Sequence, residues 1–192
     1  GAAGAGLEKA GDVLCNFGTA LVVYSVQSRQ PARLDDNQIA GIDALTGRYF
    51  LLGVESECGN IIGWIHRVMY SDRTIDDMIR AAVTAPAPAD GEDAPALELT
   101  GNGRLNLRNC SVAHGREQVV RGILDYYRRV FVGLFKGVTG GRSPRRLVVA
   151  GGLSKSRDWR HYFETAVGGH FTRAPSEHIG LLGIRRIIQQ WK

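Results

Sequence analysis

Two glycine-centred turns are the places where this chain could hold a phosphorylated ligand. Gly18 and Thr19 lie between two apolar runs, GDVLCNF and ALVVYSV. A glycine lets the backbone turn sharply and lets a ligand come close. The hydroxyl beside it can donate to a phosphate oxygen. Gly-Thr turns are common, so the pair by itself favours a plain structural turn. The second turn is Gly151-Gly152, directly after RLVVA and before Ser154 and Ser156. Ligands favour crevices at the carboxyl ends of such buried strands, where a helix begins. Glycines there let a flat ring or a ribose approach the backbone, or else they serve packing. Neither turn is a GxGxxG fingerprint, and GxxxxGK[ST] is absent from the chain. A third pair, Gly59 and Gly63, is four apart and so shares one helix face. Each glycine lowers helix stability by roughly 1 kcal/mol relative to Ala. Close approach of a ligand and tight helix–sheet packing both explain that choice.

The elements that must position these residues follow from periodicity. Val13, Cys15 and Phe17 alternate with Leu14 and Asn16, and Ala20 to Val26 is a second β-rich run, which predicts a hairpin turning at Gly18. Before it, Gly1 to Gly11 reads as the end of a helix and a loop. Ser28 to Gly47 is polar and turn-rich, and Arg48 to Val54 is a third strand. Ile61, Ile62, Ile65, Val68 and Met69 recur at helical spacing, and Thr74 caps a further helix over 75–83. Thr84 to Pro95 is Pro-rich low-complexity sequence and predicts an exposed loop. Leu97 to Val112 is ambiguous, with a short strand suggested by Leu105 and Leu107. The longest helix spans 115–138 and stops at Gly140-Gly141. Arg146 to Ala150 is a strand buried on both faces. A helix through Val167 starts at Ser154 or Ser156, a short strand follows at Phe171-Thr172, and Ser176 caps a last helix that runs to Trp191. Hairpins first and βαβ crossovers later predict an α/β fold with a mixed five-stranded sheet flanked by helices. That order fits the ribonuclease-H-like fold of the actin-like ATPases.

Bulk properties narrow the function. The chain has 192 residues, 44% of them hydrophobic and 22% charged, which suits one globular domain. No apolar run approaches the length of a membrane span, and the small, polar start is not a signal peptide. The first residue is not Met, which suggests a processed chain or an excised fragment. The net charge is +5, with arginines grouped at 142–146 and 185–186. They are not interleaved with aromatic residues, so solvated helix and loop ends are favoured over nucleic-acid binding. Mild positive charge suits an anionic ligand such as a nucleotide. The cysteines, Cys15, Cys58 and Cys110, form no CxxC pair, so neither a disulfide framework nor a zinc site is expected. Cys15 reads as a small buried hydrophobe, and a reducing, cytoplasmic setting follows.

Five stretches, in order, carry a resemblance. They are GAAGAGLEKAGDVLCNFGTA, ECGNIIGWIHRV, QVVRGILDYYRRVF, VVAGGLSKSRDWRHYFETAVGG and SEHIGLLGIRRI. Together they resemble the C-terminal domain of the FGGY carbohydrate kinases, the family of glycerol kinase, xylulokinase and gluconokinase. The resemblance covers almost the whole chain. It implies that residues 1–192 form the nucleotide-binding lobe of a kinase whose N-terminal sugar-binding lobe is absent here. It implies ATP and Mg²⁺ as cofactors, transfer of the γ-phosphate to a sugar or polyol hydroxyl, and no metal site of the chain's own. By position, Gly18 and Thr19 would contact the outer phosphates. Gly59 and Gly63 would line the adenosine side. Gly151, Gly152 and Ser156 would hold adenine and ribose. The family's Asp base falls upstream of Gly1, so no catalytic residue is expected in this chain, and the fragment alone would be inactive. Asp12 comes after that place and belongs to the hairpin.

Departures from the family pattern are specific. Leu107 to Cys110 lacks the expected glycines, Gly122 stands where Ala or Ser is usual, and Ile184 and Arg185 replace small residues after Gly183. Gly63 falls where the family itself varies. Two alternatives stay open: a stand-alone, catalytically inactive nucleotide-binding or regulatory module of the same fold, and another actin-like ATPase. The GG–SKS–RDW stretch argues against the second. The identity of the sugar and a homo-oligomeric state are not legible.

Overall fold

The structure, a computed structural model, describes residues 1–86, 95–99, 105–111 and 113–190. Most of the Pro-rich loop expected over 84–95, and Trp191, lie outside the described residues. Helix α1 (Ala2–Ala5) leads into strand β1 (Asp12–Phe17), which turns through Gly18–Ala20 into β2 (Leu21–Gln27). Strands β3 (Gln38–Ile42) and β4 (Tyr49–Glu55) form a second antiparallel hairpin, whose β4 pairs antiparallel with β2. Helices α2 (Cys58–Met69) and α3 (Ile75–Thr84) follow. A small hairpin, β5 (Ala96–Leu99) with β6 (Leu105–Arg108), precedes the long α4 (Arg116–Thr139). Strand β7 (Arg146–Ala150), a short 3₁₀ turn (Gly152–Lys155), α5 (Arg157–Val167), β8 (Thr172–Arg173) and α6 (Ile179–Gln190) end the chain.

The main sheet has six strands in the order β3-β4-β2-β1-β7-β8, one more than the sequence led us to expect. The extra strand is β3. It is an edge strand with a single neighbour, and its Ile39 and Ile42 are exposed, so it carries no buried apolar run to mark it. β7 runs parallel to β1, and β8 parallel to β7. The sheet is therefore mixed, as expected.

Strand alternation divides the core. Val13, Cys15 and Phe17 of β1 point to a large cluster with Ile62 of α2, Ile79 of α3, Phe131 of α4 and Trp159 of α5. Leu14 points the other way, to a smaller cluster with Tyr24, Val148 and Ile179 of α6. Burying an aliphatic or aromatic side chain is worth about 1.5–3 kcal/mol, so both faces of β1 anchor it.

Asp12 opens β1 and is fully buried. Its Oδ2 accepts the backbone N–H groups of Glu8 and Lys9, each at 3.0 Å, and Oδ1 pairs with Arg145 at 2.5 Å. This carboxylate locks the entry to the hairpin. Gly122, a departure from the family pattern, has a local reason. A Cβ there would sit 2.0 Å from the Pro95 carbonyl oxygen, so α4 needs glycine to meet the small hairpin.

Candidate functional site

Because β1 and β7 are parallel neighbours, their carboxyl ends open at the same edge. The Gly18-Thr19 turn and the Gly151-Gly152 turn are thus brought side by side. Gly151 has φ +92°, and a Cβ on it would lie 2.4 Å from the Phe17 carbonyl carbon and oxygen and 2.8 Å from the Gly18 nitrogen. Only glycine permits both that backbone shape and that approach. The start of α2 is drawn in the same way. The Gly59 N–H donates to the Thr19 carbonyl at 2.8 Å, and a Cβ on Gly59 would lie 2.2 Å from the Gly18 oxygen. Helix α3 is fixed by a reciprocal cap. The Thr74 hydroxyl accepts from the Asp77 N–H at 3.1 Å, and the Asp77 carboxylate accepts from the Thr74 N–H at 3.3 Å.

These elements enclose a cleft of about 750 Å³. Its apolar wall is Phe17, Ile75, Ile79 and Leu153. Gly18, Thr19, Gly59, Gly152 and Ser156, all singled out in the sequence, face it. A Cβ on Gly152 would meet nothing within 4 Å, and one on Gly18 would make only ordinary contact, at 3.5 Å from Asn16 Nδ2. The Thr19 side chain is exposed. Ser156 is buried, and its hydroxyl accepts from the Trp159 N–H at 3.3 Å, capping α5. Gly151 lies behind the turn, where it joins the strands. Gly63 is one turn further along α2, is not part of the cleft lining, and has only Arg67 Nη1 near its Cβ position, at 3.6 Å.

Four polar members of the lining were not among the expected site residues: Asn60, Asp76, Lys155 and Thr74, the last expected only as a helix cap. Among the described residues, Lys155 is the one cation and Asp76 the one carboxylate of the lining. Lys155 pairs with Glu177 at 2.9 Å, and that hydrogen bond holds the Glu177 carboxyl below the usual range. Lys155 was visible inside the SKS triplet, but Asn60 and Asp76 carried no local signal.

Burial pushes the thiols of Cys15 and Cys58 well above the ordinary range, which makes them inert. Among the described residues, no group of three or more His, Cys, Asp or Glu side chains converges as metal ligands. Nor is any described helix long and apolar enough to cross a membrane. A second hollow, about 520 Å³, lies at the opposite end of β7 and includes Lys136, Arg142, Arg145 and Arg146. Its arginines have local work: Arg145 binds Asp12, Arg146 donates to the Gly6 carbonyl, and Arg142 to that of Thr139. Cations beside the last turn of a helix such as α4 also suit its free carbonyls.

No family model matches the chain. One relative is a xylulose kinase of Bacillus subtilis (strain 168), 23% identical over 169 residues, covering 83% of this chain and 34% of the relative. Among solved structures, ligand-bound xylulose kinase from Lactobacillus acidophilus superposes with a TM-score of 0.79 at 17% identity, over 98% of this chain and 40% of the other. Glycerol kinase with ADP from Plasmodium falciparum gives a TM-score of 0.71 at 13% identity, over 100% and 41%. The chain thus spans about a third to two-fifths of the length of these proteins. Sequence motifs and three-dimensional likeness agree: this chain resembles the C-terminal domain of the FGGY carbohydrate kinases and has their actin-like ATPase fold.

Proposed function

We propose that this chain is the ATP-binding half of a carbohydrate kinase, which transfers the γ-phosphate of ATP to a sugar or polyol hydroxyl. The observation that carries this is that Gly18 and Gly152 face one cleft, where a Cβ on Gly152 would meet open space and one on Gly18 would make only ordinary contact. Gly18 and Thr19 would receive the outer phosphates, with the Thr19 hydroxyl as donor. Gly152 and Ser156 would border adenine and ribose, and Gly59 would bring the start of α2 against them. Gly151 acts behind the site by holding the two turns together. The cleft volume, in the range of small-molecule sites, fits a nucleotide. Mg²⁺ would arrive with the phosphates, since it keeps waters and binds largely through them.

In-line transfer asks for positioning and charge neutralisation more than for covalent chemistry. The half described here would supply the nucleotide's place. Asp12 cannot serve as base, because its carboxylate is buried and engaged at the far end of β1. The base and the sugar site would belong to the other half of the kinase. Calorimetric titration of this chain with Mg·ATP, together with a sugar-phosphorylation assay, tests the proposal. Saturable nucleotide binding without sugar turnover is expected. Sugar turnover by the chain alone would refute the division of labour, and no binding at millimolar nucleotide would count against the site.

A further inference from the structure

Lys155 sits at the end of the 3₁₀ turn that begins at Gly152, and it lines the cleft. Its backbone is fixed from behind: Arg160 donates to the Ser154 carbonyl at 2.6 Å and to the Lys155 carbonyl at 3.1 Å. The side chain is free to move. It is about half exposed, and its partner Glu177, on the segment before α6, is 61% exposed. An ion pair this exposed is weak and readily exchanged. Among the described residues, no other cation lines the cleft. A nucleotide there would carry several negative charges, and charge-assisted contacts to phosphate are the strong ones.

We propose that Lys155 is a phosphate-contacting residue of the cleft, parked on Glu177 until an anionic ligand enters and then turned onto it. This rests on the nucleotide reading of the cleft and deepens it. Glu177 becomes a holding partner that competes with the ligand for the ammonium group. The contact sets a preference for phosphorylated over uncharged nucleosides, and leaves the adenine end to Gly152.

The test is titration of the wild-type chain, Lys155→Met, Lys155→Arg and Glu177→Gln with Mg·ATP and, separately, with adenosine, followed by NMR. Lys155→Met is expected to weaken Mg·ATP about tenfold, the loss of one charge-assisted contact. Adenosine affinity should stay within about twofold. Lys155→Arg should restore most ATP binding, and Glu177→Gln should leave it unchanged or tighter. Equal weakening of both ligands in Lys155→Met would mark a merely structural lysine, and unchanged ATP affinity would exclude the contact; either overturns the proposal. Failure of the wild-type chain to bind either ligand would instead overturn the nucleotide reading, and this inference with it.

Discussion

A methyl group built on Gly151 would lie 2.4 Å from the Phe17 carbonyl, whereas one built on Gly152 would touch nothing within 4 Å. The same contrast separates Gly59, whose Cβ would lie 2.2 Å from the Gly18 oxygen, from Gly18 itself, whose nearest neighbour would be 3.5 Å away. In each case one glycine is demanded by the protein's own packing and the other is not. Gly151 and Gly59 draw β1, β7 and α2 together at one edge of the sheet. Gly18 and Gly152 leave room inside the cleft that results. Glycines in a motif therefore do two kinds of work, and stability and binding should separate them.

The largest expected effect is on folding. Gly151→Ala combines a left-handed backbone with a clash against main-chain atoms that cannot swing aside, and should cost about 3 kcal/mol. Urea denaturation would show it, and a loss under about 1 kcal/mol would mean that the strands can move apart cheaply. Gly59→Ala meets a carbonyl without backbone strain, so about 2 kcal/mol is expected. High pH attacks the same packed wall. Cys15 and Cys58 are buried, and burial, aided at Cys58 by Glu55, raises both thiols above their unfolded values. The protonated folded state is favoured below a pKa of about 8.5, and its advantage falls as pH rises past that value. Each thiol should contribute a loss of roughly 1 kcal/mol per pH unit above about 9. Melting curves from pH 8 to 10 check this, and Cys58→Ala should make the slope shallower. Gly152→Val and Thr19→Ala should change stability by no more than about 0.5 kcal/mol, since neither removes an internal contact.

Much of this arrangement is legible in the sequence. The β1–β2 hairpin, the buried strand β7 and the helix stripes all follow from periodicity, because both faces of the sheet are covered. Thr74 and Ser156 are N-caps as expected, whereas α6 starts only at Ile179, so Ser176 stands two residues before its N-cap position and its hydroxyl accepts from the His178 N–H at 3.0 Å. Strand β3 is not legible, because an exposed edge strand needs no apolar alternation. Val68 shares the helical spacing of Ile61, Ile62 and Ile65, which predicts burial, yet it is 60% exposed, at the edge of that stripe. Ile184 and Ile188 of α6 are likewise open on the outer face. Within the cleft, glycines and hydroxyls stood out, but which glycine serves packing is a question of distances that no spacing encodes. Asp76 and Asn60 enter the site only through the way α3 and α2 lie against the hairpin.

The most direct measurement is a paired one on Thr19→Ala, Gly152→Val and the wild-type chain: denaturation midpoints alongside Mg·ATP affinity by calorimetry. Midpoints that match wild type, with affinity lowered at least about tenfold in both variants, would show that the open glycine and the exposed hydroxyl serve a nucleotide. Unchanged affinity in both, against measurable wild-type binding, would contradict that claim and place the nucleotide elsewhere.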